Sequence, residues 1–314
     1  MPYPALDDKL SDGVFTVVVM PDTQGYSHQY PDIFTAQTEW IAVNRDALNI
    51  EMVVHVGDLV EASWLREEWA VARGAFALLD GEVPYIIAPG NHDYGDRYER
   101  HNAGDRSTLF HEYFPRATFQ LMPTFGGFFA EDVRADNSYQ VFTVAGQSFL
   151  VIAMEFGPRD EVLDWAGRVL DDHPDHIAIV ATHAYLYSDD TRYDFARKPE
   201  EQQWTPHHYG IGSDPGTTVN DGQEIWDRVI ADRANVFAVV CGHVLNDGLG
   251  YAVSRGAGTV HEILANYQMH QFAGEGFLRL MHFDIRTRDV HIRTYSPWRD
   301  RFKRDPANQF DISY

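Results

Sequence analysis

The sequence predicts an α/β fold of buried parallel strands with helices between them, followed by a tail of antiparallel strands. Three observations carry that prediction. Short apolar runs at 14–20, 52–56, 83–88, 177–181 and 236–241 have the length and near-continuous hydrophobicity of strands buried on both faces. Amphipathic segments separate the first three runs, as right-handed crossovers between parallel strands require. Each of the five runs ends in a short polar stretch, and open α/β sheets bind their ligands outside the carboxyl ends of the strands.

Run 14–20 leads into a loop over 21–30. Pro31 and Asp32 then open a helix to about residue 48, in which Phe34, Ile41 and Leu48 recur at seven-residue spacing and give one apolar face. Run 52–56, a helix over about 67–79 and run 83–88 complete the parallel set. From 94 to 136 the pattern dissolves into aromatics, Arg, Gly and Pro, with one helical turn at 109–113. Connections of this length usually carry binding function, and the aromatic content predicts order. Residues 139–144 and 148–154, joined through Ala145-Gly146, read as a β-hairpin. A helix over 161–170 precedes Pro174 and run 177–181.

A second long connection, 184–219, leaves directly from a polar stretch and is expected to fold over the crevice. It contains Tyr185, Tyr187, Tyr193, Trp204, His207, His208 and Tyr209. Asp221 with Glu224 three residues on predicts a capping box for a helix through residue 230. Beyond 236–241, the alternation at 278–281 and 290–295 predicts antiparallel pairing and with it a second sheet face. No repeat, low-complexity run or linker interrupts the chain. One domain over 1–314 is expected, with its core at about 13–300.

The 314 residues carry 25 Lys and Arg against 47 Asp and Glu, a formal charge of −22. Such a field repels polyanions, which argues against nucleic acid and for small substrates. The single cysteine, Cys241, lies inside an apolar run and is expected to be a small core residue. No apolar stretch approaches the roughly 20 residues a membrane helix needs, and Met1 to Asp12 lacks a secretory pattern, so the chain is expected to be soluble and not membrane-bound.

The polar stretches are Asp22-Thr23-Gln24, Gly57-Asp58-Leu59-Val60-Glu61, Gly90-Asn91-His92-Asp93, Thr182-His183 and Gly242-His243-Val244-Leu245-Asn246. They offer carboxylates, amide oxygens and imidazoles but no thiolate, a set suited to hard or borderline cations such as Mn, Fe, Zn or Mg. Asp58, following a glycine, is the candidate to bridge two ions about 3.5–4 Å apart. His55, in mid-run, is read as a hydrogen-bonded core residue; the tail segment Asn266-Tyr267-Gln268 either approaches the site or, as the safer reading, packs.

In this order, Asp-x-Gln, Gly-Asp-x-x-Glu, Gly-Asn-His-Asp, Thr-His and Gly-His resemble the calcineurin-like metallophosphoesterase superfamily over roughly residues 13–300. Five motifs in order are far more specific than any one of them. The resemblance implies a four-layer α/β-β/α sandwich, two packed mixed β-sheets flanked by helices, with two divalent or trivalent metal ions (Mn, Fe or Zn) at the strand ends. It places one ion on Asp58, Asn91, His183 and His243. The other falls to Asp22, Gln24, the shared Asp58 and a second histidine of Gly-His-x-His.

Here Gln24 stands where His is commoner, and Leu245 stands where the second His would be. Asn246 or Asp247 bends inward as a substitute, or water fills a weak site, or one ion alone is held. Two ions with a weakened first site are expected, because Asp22 and Asp58 would otherwise be neighbouring carboxylates without counter-charge. By the same resemblance, a metal-bound hydroxide attacks phosphorus in line with the leaving alkoxide. His92 faces the substrate, binding a phosphoryl oxygen or protonating the leaving group, and Asp93 orients it. Asn91, His92, Tyr185, His207 and His208 are the expected substrate contacts. The function so read is a metal-dependent phosphoric ester hydrolase for a small organic diester or monoester, with the aromatics of both long connections favouring diesters. The alternative, supported by Leu245, is a non-catalytic member that binds metal and ligand. Chains resembling this one in the Pro-Asp-Thr-Gln start are often exported from bacteria, so a periplasmic or extracellular place with the signal removed stands beside a cytoplasmic one.

Overall fold

The computed structural model describes residues 10, 13–95, 102–130, 133–213, 216–245 and 248–314. The chain opens with β1 (Val14–Met20), α1 (Gln24–Gln29), α2 (Pro31–Asn44), β2 (Ile50–His55), α3 (Arg66–Phe76) and β3 (Tyr85–Ile87). α4 (Phe110–Tyr113), α5 (Arg116–Gln120) and β4 (Phe125–Phe128) lie in the first long connection. The hairpin β5 (Ser138–Val144) and β6 (Gln147–Ala153) leads to α6 (Asp160–Asp172) and β7 (Ile177–Ala181). After the second connection, α7 (Gly222–Ile225) runs into a π-helical turn, Trp226–Ile230, and β8 (Val236–Cys241) follows. The tail holds β9 (Leu249–Arg255), β10 (Thr259–Ala265), α8 (Gln271–Gly274), β11 (Leu278–Asp284), β12 (Asp289–Ser296), β13 (Arg301–Lys303) and β14 (Phe310–Ser313).

Local chemistry explains several of these boundaries. Ala145 and Gly146 both take positive φ, 47° and 85°, as the two-residue turn joining β5 to β6 demands. The Asp221 carboxylate accepts from the amides of Gln223 and Glu224, while Glu224 Oε2 accepts from the Asp221 amide at 2.8 Å. That is the expected capping box. The expected loop at 21–30 contains α1 instead. Its sequence shows no apolar period because distant partners hold it: Ser27 Oγ donates to the Leu59 carbonyl, and Tyr26 Oη accepts from the Gly276 amide.

Among the described residues the strands form two seven-stranded sheets. The first runs β13-β12-β11-β1-β2-β3, with β14 also on β12, and β1, β2 and β3 are parallel. The second runs β4-β5-β6-β7-β8-β10-β9, with β6, β7, β8 and β10 parallel. The alternating strands β11 and β12 pair antiparallel, as expected, and both belong to the first sheet. β11 pairs antiparallel with β1 and extends the first sheet. Alternation specifies an antiparallel neighbour but not which sheet supplies it.

The facing surfaces of the sheets share one apolar layer in which Phe15, Val17, Val19 and Val54 meet Val151, Ile179, Val240 and Ile263. α2 and α3 cover the outer face of the first sheet through Phe34, Trp40, Ile41, Trp69 and Phe76. α6 and the π turn cover the second through Leu163, Ala166, Leu170 and Val229. The layers are helix, sheet, sheet, helix: the four-layer sandwich of two mixed sheets. Burial on both faces is why the central strands read as unbroken apolar runs. Among the described residues no helix is long and apolar enough to cross a membrane.

Phe15 sits where the sheets touch, with ring centroids 4.9 Å from Phe149 and from Phe283 and 5.9 Å from Phe142. Phe15→Ala is expected to destabilise the chain by about 3–5 kcal/mol. The measurement is the urea midpoint at unchanged slope; a loss below about 1 kcal/mol would show that this cluster does not hold the sheets together.

Candidate metal centre and crevice

Polar side chains at the carboxyl ends of β1, β2, β3, β7, β8 and β10 converge on one crevice. Asp58 follows β2 in a left-handed turn, with φ 53° after Gly57 at 108°. A Cβ at Gly57 would lie 2.6 Å from His183 Nδ1 and 2.7 Å from the Ala88 carbonyl, so both backbone and space require glycine there. Asp58 Oδ1 accepts from the His92 amide at 2.9 Å, and Oδ2 lies 3.2 Å from His183 Nε2.

His183 donates Nδ1–H to the Val56 carbonyl at 2.7 Å, which turns Nε2 towards Asp58 and towards Asn91 Oδ1 at 3.1 Å. His243, at φ 74°, donates Nε2–H to the Trp204 carbonyl at 2.8 Å and so keeps the Nδ1 lone pair free. Metal-ligating histidines are commonly oriented in this way, by a carbonyl that fixes the tautomer. One ligand atom each from Asp58, His183 and His243 fall within 4.8 Å of one another. With Asn91 Oδ1 beside them, the structure brings together the first expected donor set.

Asp22 and Gln24 stand next to it. The Asp22 carboxylate accepts from the His243 amide at 3.1 Å and from Asn266 Nδ2 at 2.8 Å. Burial, with the anionic Asp58 adding to it and His183 opposing, pushes Asp22 up to about 7. Burial works against a charged His183, yet Asp58 and Asp22 outweigh it and push that imidazole up to about 9. Asp58 is itself buried, but the histidines around it hold its carboxyl well below the usual range. These are the marks of a site short of positive charge. Gln24 supplies a second sign: Nε2 donates to Asp58 Oδ2 and Gln268 Oε1, while the buried Oε1 has no partner among the described residues. An acceptor left so costs about 1–3 kcal/mol, which a cation would remove. The residues present fit divalent cations.

Not every expected role survives. Asp93 does not orient His92, because its carboxylate accepts from the amides of Leu59, Val60 and Gly90 at 2.8–3.2 Å and clamps the two loops together. His92 is held by Glu61, whose carbonyl receives Nδ1–H at 2.8 Å, and its Nε2 meets Asn102 Nδ2 at 3.1 Å. Asn246 and Asp247 lie outside the described residues. His55 is neutral and structural, accepting from the Gly57 amide at Nδ1 and reaching Thr23 Oγ1 through Nε2; burial pushes it down to about 3.

The crevice encloses about 360 Å³, lined by Gln24, Asp58, Glu61, Asn91, His92 and His243, with Asn102, Trp204, Tyr209, Leu245, Gln268 and Met269 around them. Both long connections reach it, but not through the expected side chains. Tyr185 is fully buried, its hydroxyl 3.0 Å from Arg192 Nε. His207 turns away to Glu224 Oε2 at 2.8 Å and stacks on Phe195, and His208 packs against the same ring. Trp204 and Tyr209 take their places.

Asn266 and Gln268 enter the site, the alternative to the packing that the sequence favoured, while Tyr267 packs. They follow β10, a sixth strand end obeying the same rule. His261 and Glu262 interrupt its apolar run and hide it, since Glu262 is buried against Arg192, 70 positions away.

Residues 15–247 match the family of calcineurin-like phosphoesterases. "Uncharacterized protein YvnB" of Bacillus subtilis (strain 168) is 31% identical over 296 residues, 91% of this chain and 20% of that protein. "Probable inactive purple acid phosphatase 24" of Arabidopsis thaliana is 29% identical over 141 residues, 40% of this chain and 22% of its own. This chain thus spans about a fifth of the length of these curated relatives. Among solved structures, purple acid phosphatase PPD1 from yellow lupin seeds shares the fold at a TM-score of 0.54, covering 96% of this chain and 54% of that one at 16% identity. The family match runs from β1 through His243, across every strand end of the complete donor set, and the chain belongs to the calcineurin-like phosphoesterases, a family of phosphoric ester hydrolases.

Proposed function

We propose that this chain hydrolyses small organic phosphodiesters, with two cations held by Asp22, Gln24, Asp58, Asn91, His183 and His243, the ion nearest Asp22 and Gln24 more weakly than the other. The observation that carries the preference for diesters is charge. The described side chains lining the crevice include Asp58 and Glu61 but no Lys or Arg. A phosphomonoester carries close to two negative charges at neutral pH, a diester one. With no guanidinium or ammonium to match the second charge, Glu61 opposes it.

Bound divalent cations supply charge neutralisation at the phosphoryl oxygens and lower the pKa of water at the site. His92 supplies the proton. Burial disfavours its charged form, but Asp58 and Glu61 outweigh burial and hold the ring above the ordinary imidazole value. With Nδ1 committed to the Glu61 carbonyl, Nε2 is the nitrogen that faces the crevice and can protonate the departing alkoxide. Asn102 Nδ2 lies 3.1 Å from that same Nε2 and donates to it when the ring is neutral. A second reading, a binding protein without turnover, is favoured by Leu245, which lines the crevice where the family's second histidine would stand and offers no ligand atom.

Three outcomes are expected. Elemental analysis and anomalous scattering of the Mn-saturated chain should find two ions, and a single ion would overturn the dinuclear reading. Bis-p-nitrophenyl phosphate should turn over about tenfold faster than p-nitrophenyl phosphate, a difference of about 1.4 kcal/mol. The reverse ratio would make the chain a monoesterase, and no turnover of either with Mn, Fe, Zn, Ni or Co would favour the binding protein. His92→Ala should lower kcat by about 10²–10⁴ at unchanged metal content; equal loss of both would assign His92 to metal binding.

A further inference from the structure

The crevice lining is of two chemistries, polar and apolar, and the apolar part extends the diester reading, on which this inference rests. Its floor is the polar set around Asp58, Asn91 and His92. Apolar groups share the lining: Trp204 and Tyr209 from the second connection, Leu245 after β8, and Met269 after β10. Trp204 and Met269 remain 36% and 64% exposed, large apolar groups left bare at the mouth of a polar site. Tyr209 is held edge-on to Phe156 with centroids 5.1 Å apart and lies 6.0 Å from the His243 ring.

Trp204 is the informative residue. It adopts a left-handed backbone, φ 62°, and from there its carbonyl accepts Nε2–H of His243. Glycine would make that turn without steric cost, so the hydrogen bond alone does not call for tryptophan. What tryptophan adds is a ring at the crevice. Leu245 adds to the same wall at a position that otherwise furnishes a ligand.

We infer that Trp204, with Leu245 and Met269, is a specificity wall that receives a flat, apolar ester group, so that the preferred diesters carry an aromatic or similarly planar alcohol. The monoanionic phosphoryl group faces the polar floor while that group lies against the indole, where stacking rewards a planar partner.

The test is equilibrium binding to the metal-loaded chain of two anions without ester bonds, diphenylphosphinate and dimethylphosphinate, followed by calorimetry. Wild type should bind the diphenyl compound at least about tenfold more tightly. Trp204→Gly, which suits the left-handed backbone and retains the carbonyl, should reduce that ratio to below about threefold at unchanged metal content, and Trp204→Phe should restore part of it. No preference in wild type, or a preference that persists in Trp204→Gly, overturns the inference. Should Trp204→Gly lose metal, Leu245→Ser on the same wall decides: a reduced ratio supports the wall and an unchanged one refutes it. Phosphinate binding needs no turnover, so a chain that discriminates between the two anions yet hydrolyses no diester refutes the catalytic reading alone.

Discussion

Asp22 and Asp58 are two carboxylates buried in one crevice, 1% exposed each, and the strand ends around them are arranged to tolerate that burial. An unpaired buried charge is among the most costly features a fold can carry. Here the compensation comes from both sheets at once. Asp58 from the first sheet faces His183 from the second, His183 returns a hydrogen bond to the Val56 carbonyl, and Asp22 receives the amides of His243 and Asn266. The same contacts tie the sheets together at the end where their apolar layer gives way. A site short of positive charge thus also acts as a fastening, and a cation would take over the role that the His183 proton fills without one.

This arrangement is bought with backbone strain. Asp58, Trp204 and His243 all take left-handed φ, a conformation costing a non-glycine residue about 1–3 kcal/mol. Such strain persists only where the surroundings leave no alternative. Around Asp58 the Asp93 clamp on the Leu59, Val60 and Gly90 amides provides that rigidity. The ligand geometry is therefore set by the scaffold before any ion arrives, which favours electrostatic preorganisation over rearrangement on binding.

The long connections are equally constrained. Arg106 in the first reaches the Gly157 carbonyl at 2.6 Å and lies 3.3 Å from the buried Glu155, which also pairs with Arg159. Arg192 in the second spans Glu262 and stacks over Trp226 at 3.8 Å. With these anchors in the core, Asn102, Trp204 and Tyr209 stand over the crevice as fixed parts of its wall. The histidine and tyrosine that look most chemical in the second connection, His207 and Tyr185, are spent on holding it down.

The sequence by itself determined the parallel strands, the hairpin through Ala145-Gly146, the capping box at Asp221 and the polar strand ends from Asp22 to His243. Each of these depends on residues close together in the chain: an unbroken apolar run, a pair of residues that tolerate positive φ, a carboxylate three positions from its partner. Tertiary structure alone decided that β11 joins β1, that Asp93 serves backbone amides instead of His92, that Asn266 and Gln268 complete the crevice, and that Trp204 faces it while Tyr185 does not. Those outcomes depend on partners such as Arg192 for Glu262 and Gly276 for Tyr26, separated by 70 and 250 positions. A buried polar side chain looks the same in sequence whether its distant partner is a core arginine or a catalytic crevice, and only the packing of the two sheets distinguishes them.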